Sequence, residues 1–121
     1  MAEHIELGKK GEEIATDYLK KNGYRIRDTN WRFSRYEVDL IAEVKGILVV
    51  AEVKTRSSNT IAEPEASVTR EKQRHLISAA NAYIRLKGLR MEVRFDIIAI
   101  VIVGETHQLT HIPDAFYAMV R

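Results

Sequence analysis

The sequence contains no cysteine, which removes disulfide frameworks, thiol nucleophiles and cysteine-ligated zinc at one stroke. A reducing compartment is therefore permitted. Long apolar runs are missing as well: the two longest, ILVVA and IIAIVIV, fall far short of a membrane-spanning helix, and the N-terminus has no apolar signal core. The expectation is a cytoplasmic protein with no membrane segment. Neither sign of charge dominates, and the formal net charge is only +2. That permits nucleic acid binding through a local basic patch without requiring it. Gly8 and Gly11 lack the lysine-serine ending of a phosphate-cradling loop, so no nucleotide cofactor is expected. His4, His75, His107 and His111 lack the spacing of a zinc site. Neither an internal repeat nor an interdomain linker is visible, and residues 1–121 are expected to form one domain with a single core.

What is present reads as an α/β order, α-β-β-β-α-β. Ile14, Ala15, Tyr18 and Leu19 recur at helical spacing between His4 and Asn22, with Gly23 as the stop. Arg25 to Phe33 reads as a polar edge strand. Glu37 to Val44 and Ile47 to Thr55 read as a hairpin around Lys45-Gly46, followed by a loop from Arg56 to Ala66 placed where it could cover a site. Leu76, Ile77, Ala80, Tyr83 and Ile84 mark a second helix over Thr69 to Lys87, ended by Gly88. Val93 to Val103 is a core strand, Gln108 to Ile112 a short strand, and Pro113 to Arg121 a last helical turn or two.

The hairpin carries the chemistry. A two-residue turn at Lys45-Gly46 makes opposed residue numbers sum to 91, which sets Asp39 opposite Glu52 and Glu37 opposite Lys54. Two carboxylates held about 5 Å apart repel by roughly 3 kcal/mol at an effective dielectric of ~20. A hard divalent cation, Mg²⁺ or Mn²⁺, would remove that repulsion. Lys54 follows Glu52 by two residues on the same strand face, so its ammonium can reach the same place and assist phosphodiester hydrolysis. The plainer interpretation is a solvated sheet face with a Glu37–Lys54 ion pair. Ile41, Leu48 and Val50 on the same face argue against it, because charges at one end of a core-like face need partners.

Asp39 with Glu52-Val53-Lys54 resembles the PD-(D/E)xK signature of the restriction-endonuclease-like fold. GKKGEEIATDYL, NWRFSRYEVDLI, VVAEVKTRSS, ASVTREKQRHLISAANAYI and RFDIIAI together resemble the YraN-like family of bacterial proteins, across nearly the whole chain. That family is similar to Holliday junction resolvases. The resemblance implies a mixed central sheet flanked by helices and a metal-dependent nuclease acting on DNA, branched or single-strand-containing. Resolvases that cut paired strands work as dimers, so a homodimer is left open. Tyr36 stands where the family pattern usually has glycine, and the proline of the short signature is absent.

Around this centre, Glu12 shares the inward side of the first helix with Ala15 and Leu19, and the resemblance implies a third metal contact there; an ordinary solvated acid is the alternative. Gln73 borders the apolar stripe of the second helix and could orient water or bind phosphate. Arg32, Arg35, Arg56, Arg70, Lys72 and Arg74 flank the site in sequence and could contact the phosphate backbone, although each alone reads as a solvated charge. Trp31 and Tyr36 could stack on an unpaired base, with core or rim packing the alternative for Trp31. The functional expectation is metal-dependent DNA hydrolysis; the alternative is a noncatalytic nucleic-acid-binding or partner-recruiting module.

Overall fold

The computed structural model describes residues 2–59 and 67–117, residues 2–4 by their backbone alone. Seven elements follow one another: α1 (Ala2–Lys21), β1 (Arg25–Phe33), β2 (Tyr36–Val44), β3 (Ile47–Ser57), α2 (Arg70–Lys87), β4 (Glu92–Val103) and β5 (Thr106–Phe116). The strands form one sheet in chain order, antiparallel throughout except between β3 and β4, which run parallel through the α2 crossover. The sheet is therefore mixed, as expected.

Strand periodicity assigns the two faces. Ile41, Leu48, Val50 and Phe95 pack with Leu76, Ala79, Ala80 and Tyr83 of α2. Leu40, Ala42, Ala51, Ile98, Ile100 and Ile102 pack with Ala15 and Leu19 of α1 on the other face. Each large aliphatic side chain so buried contributes roughly 1.5–3 kcal/mol. Both helices stop where glycine can turn left-handed, at Gly23 (φ 86°) and Gly88 (φ 63°). At the other end of α2 the Thr69 hydroxyl caps by accepting from the Lys72 N–H at 3.1 Å. Gly11 answers a different need: a Cβ there would fall 1.8 Å from Thr55 Oγ1, so only glycine lets α1 lie this close to β3.

The C-terminal expectation is corrected. Instead of a helical turn from Pro113, β5 continues through Pro113 to Phe116. The β4–β5 register jumps from Ile97↔Ile112 to Phe95↔Phe116, and this bulge takes up the proline, which a sheet tolerates at an edge strand or bulge. The Phe116 ring stacks on Phe95 at 5.0 Å and holds the strand end against the core. Residues 118–121 of the expected turn lie outside the described residues, as do 60–66 of the expected loop; the preceding Arg56 and Ser57 belong to β3.

Candidate functional site

Lys45 (φ 50°) and Gly46 (φ 79°) form the two-residue turn with both central residues left-handed. The register sums to 91 from Val44↔Ile47 to Leu40↔Ala51. There it ends, one step short of Asp39 and Glu52. The Asp39 side chain turns into the gap and its Oδ2 accepts the Val53 N–H at 2.8 Å, in place of a backbone partner. On the other side of β2, pairing passes from Thr29↔Leu40 to Trp31↔Val38 and leaves out Asn30, which is left-handed at φ 49°. The strict facing of Asp39 with Glu52 is thus replaced by a fork between strands. Glu37 is corrected as well: it pairs with Arg32, at 3.7 Å, and Lys54 Nζ donates instead to the Ser67 carbonyl.

The fork still brings the two acids together. Burial first, then the Glu52 charge, pushes the Asp39 carboxyl up to about 7 against the opposing pull of the Val53 N–H and Lys72. Glu52 has one oxygen, Oε1, that is buried and accepts no hydrogen bond among the described residues. Its Oε2 lies 3.7 Å from Lys72 Nζ. Glu12 is half-buried while its neighbour Glu13 is exposed, and Asn30 Nδ2 donates to Glu12 Oε1 at 2.9 Å. Burial raises the Glu12 pKa, with the charges of Asp39 and Glu37 adding to it and Asn30 opposing. Among the described residues no three acids or histidines converge as a cluster; Asp39 and Glu52 form a pair, with Glu12 in electrostatic reach of Asp39.

The remaining expected residues are placed as follows. Gln73 Nε2 donates to the Val68 carbonyl at 3.0 Å, so with Lys54 on Ser67 it ties down the segment that leads into α2. Arg70 and Arg74 are exposed on α2, and Arg56 is exposed near the end of β3. The Arg35 guanidinium lies 5.7 Å from the centre of the Tyr36 ring.

Along nearly its entire length the chain is similar to UPF0102 proteins of Flavobacterium johnsoniae (47% identical over 121 residues) and Flavobacterium psychrophilum (44% over 117 residues), in each case over 97% of this chain and 98% of the relative. The family model described as "Uncharacterised protein family UPF0102" matches residues 11–100, which include Glu12, Asp39, Glu52, Lys54 and Gln73. The chain belongs to this family. A UPF0102 protein of Bacteroides thetaiotaomicron is 44% identical, again over 97% of each chain. The UPF0102 match thus takes in the second half of α1, all of β1 to β3 and α2, and most of β4, while β5 falls beyond it.

Two features of this UPF0102 chain escaped the sequence reading. Asn30 gave no signal, since its role depends on a left-handed backbone that only the pairing reveals. Asp96 did give one, as the lone acid of RFDIIAI. It is buried on the α1 face, where Arg94 Nε and Nη2 donate at 2.9 and 2.8 Å and the Asp114 N–H donates at 3.0 Å. His111 Nε2 lies 2.7 Å from Asp96, and its Nδ1 lies 2.9 Å from the Tyr18 hydroxyl. No helix among the described residues is long and apolar enough to cross a membrane.

Proposed function

We propose that this chain is a divalent-cation-dependent nuclease of the restriction-endonuclease-like kind, hydrolysing phosphodiester bonds of DNA. The observation that carries this reading is the half-buried Asp39–Glu52 pair, in which Glu52 Oε1 is itself buried and has no hydrogen-bond donor among the described residues. A buried lone pair without a donor costs about 1–3 kcal/mol, more for a charged group, and burial followed by the nearby Glu52 charge raises the Asp39 pKa. Hard carboxylate oxygens in this arrangement fit Mg²⁺ or Mn²⁺, held by Asp39 and Glu52 with Glu12 behind them. Bound there, the ion would polarise the phosphate and make hydroxide available at neutral pH.

The chain's own side chains supply the rest. Lys54 extends from the same strand as Glu52, and its Nζ would hydrogen-bond the phosphate oxygens as negative charge grows on them. Arg70, Lys72 and Arg74 at the start of α2, with Arg32, Arg35 and Arg56, would hold the backbone phosphates on either side. Gln73, anchored on Val68, keeps the approach to α2 in place, and from there it would orient water or bind phosphate. The second reading is a noncatalytic nucleic-acid-binding or partner-recruiting module. It is favoured by the Lys54 donation to Ser67, which engages the group the reaction needs.

Incubating labelled single-stranded, duplex, flapped and four-way DNA with Mg²⁺ or Mn²⁺ separates the two. The nuclease reading expects products from wild type and none from Asp39→Ala. Mn²⁺ binding by calorimetry without cleavage of any substrate leaves the binding module. A wild type with neither property removes the metal site altogether.

A further inference from the structure

Aromatic residues collect at the tip of the β1–β2 hairpin, on the strands that lead to Asp39. Phe33 pairs with Tyr36 across the turn formed by Ser34 and Arg35. Trp31 and Phe33, two apart on β1, hold their rings parallel, 6.2 Å between centres and 4° between planes. The Trp31 ring is fixed from behind by Tyr83 of α2, edge to face at 5.1 Å. Tyr36 stacks on His75 of α2 at 4.7 Å. Phe33, at the outer end of the Trp31–Phe33 stack, is one of four large apolar side chains left exposed among the described residues, at 36%.

An exposed ring is open to any apolar partner, but three arginines stand around this one, with Glu37 beside Arg32 and Glu71 beside His75 as the nearby acids. Arg32 keeps 74% of its side chain in solvent, Arg35 lies over Tyr36, and exposed Arg74 precedes His75. Planar rings interleaved with arginines suit a ligand that offers flat π-faces on a phosphate chain. Position matters too. Tyr36 precedes Asp39 by three residues along β2, about 10 Å at ~3.3 Å per residue, which is the length of about three stacked nucleotides at ~3.4 Å each.

We infer that the β1–β2 tip is a base-stacking platform for single-stranded nucleic acid, with an unpaired base extending the Trp31–Phe33 stack on the outer face of Phe33. This rests on the nuclease reading for its meaning and names the substrate class: DNA with unpaired nucleotides a few positions from the phosphate at Asp39 and Glu52. A base inside an intact duplex hides both faces and gains nothing from Phe33.

Trp31 is the only tryptophan of the chain, so its emission reports on this platform. The full-length protein, in EDTA to prevent cutting, is titrated with an oligothymidylate single strand and with a blunt duplex of equal length, following Trp31 emission and anisotropy. The expected result is a change in Trp31 emission with the single strand alone. Phe33→Ala should weaken single-strand binding roughly 5- to 100-fold, and Phe33→Tyr should restore it. Phe33→Leu keeps an apolar side chain without a π-face and should behave like Phe33→Ala. Single-strand binding equal to wild type in Phe33→Leu overturns the platform, as does equal binding of single strand and duplex. Unchanged Trp31 emission with either nucleic acid also overturns it and leaves the Phe33 surface for a protein contact. The wild-type titration does not depend on how any variant folds. Stacking without cleavage would overturn the nuclease reading alone; cleavage with Phe33-independent binding would overturn the platform alone.

Discussion

Asp39 Oδ2 accepts the Val53 N–H at 2.8 Å, so a side chain completes the hydrogen bonding of β3 at the point where the β2–β3 ladder gives out. This single contact pins one acid beside the other. It also keeps a carboxylate in a position that burial and Glu52 make unfavourable.

The pH dependence of stability follows from that conflict. With its pKa raised from 3.8 to about 7, Asp39 favours the fold in its neutral form, an advantage complete below the ordinary value and lost as pH rises through about 7. Metal-free protein is therefore expected to be less stable at about pH 8 than at about pH 5. Asp39→Asn, which keeps an oxygen for the Val53 N–H, should remove most of the difference and gain on the order of 1–3 kcal/mol at the higher pH. Urea midpoints at the two pH values, for both proteins, check it.

Divalent cation should reverse the loss. At about 100 times its dissociation constant Mn²⁺ adds ~2.7 kcal/mol, a rise in Tm on the order of 10 °C for a chain this size. Glu52→Gln removes the charge of the orphaned oxygen's group and should abolish the rise. Thermal scans with and without Mn²⁺ provide the comparison, and a full response in the variant would count against Glu52 as a ligand.

Lys54 should affect turnover without affecting metal. Lys54→Met is expected to lower kcat on the best DNA substrate by about 10²–10³-fold, the usual loss when one stabilising donor is removed. Calorimetric Mn²⁺ affinity should stay within error of wild type. A fall in affinity instead would make Lys54 a structural support for the acids.

Away from this site, Asp96 is the residue on which the α1 face depends. Burial alone would raise its pKa, but hydrogen bonds from His111, Arg94 and the Asp114 N–H outweigh burial and hold it below 3.8. Its ionised form therefore stabilises the fold above the ordinary carboxylate value, and this stability is lost as pH falls through the lower folded value. Asp96→Ala leaves half-buried Arg94, His111 and the Asp114 N–H without their shared carboxylate and should cost about 3–5 kcal/mol. Denaturant unfolding measures that cost, while Mn²⁺ affinity should not move.

The hairpin was legible because a two-residue turn at Lys45-Gly46 leaves only one register. Where the register stops was not, since the stop depends on the Asp39 side chain replacing a backbone partner and on Asn30 turning left-handed opposite it. Both helices were legible from their apolar spacing and terminal glycines. The last strand was misread at Pro113, where a residue that often opens helices instead fills a bulge, held by the distant stacking of Phe116 on Phe95. Contacts of that range leave no local pattern.

Gly11 sets helix propensity against function. Glycine inside a helix costs about 1 kcal/mol relative to alanine, so Gly11→Ala on an isolated α1 would be a gain. Here the added methyl would run into Thr55, two residues beyond Val53 and one beyond Lys54, and α1 would have to lift from the sheet. Glu12 is the next residue, so the acid would withdraw from Asp39 with it. Consensus-style stabilisation of this helix would therefore trade away reach at the acidic pair, and a thermostable version of the fold is better sought on its outer surface, at Glu13 or Lys20.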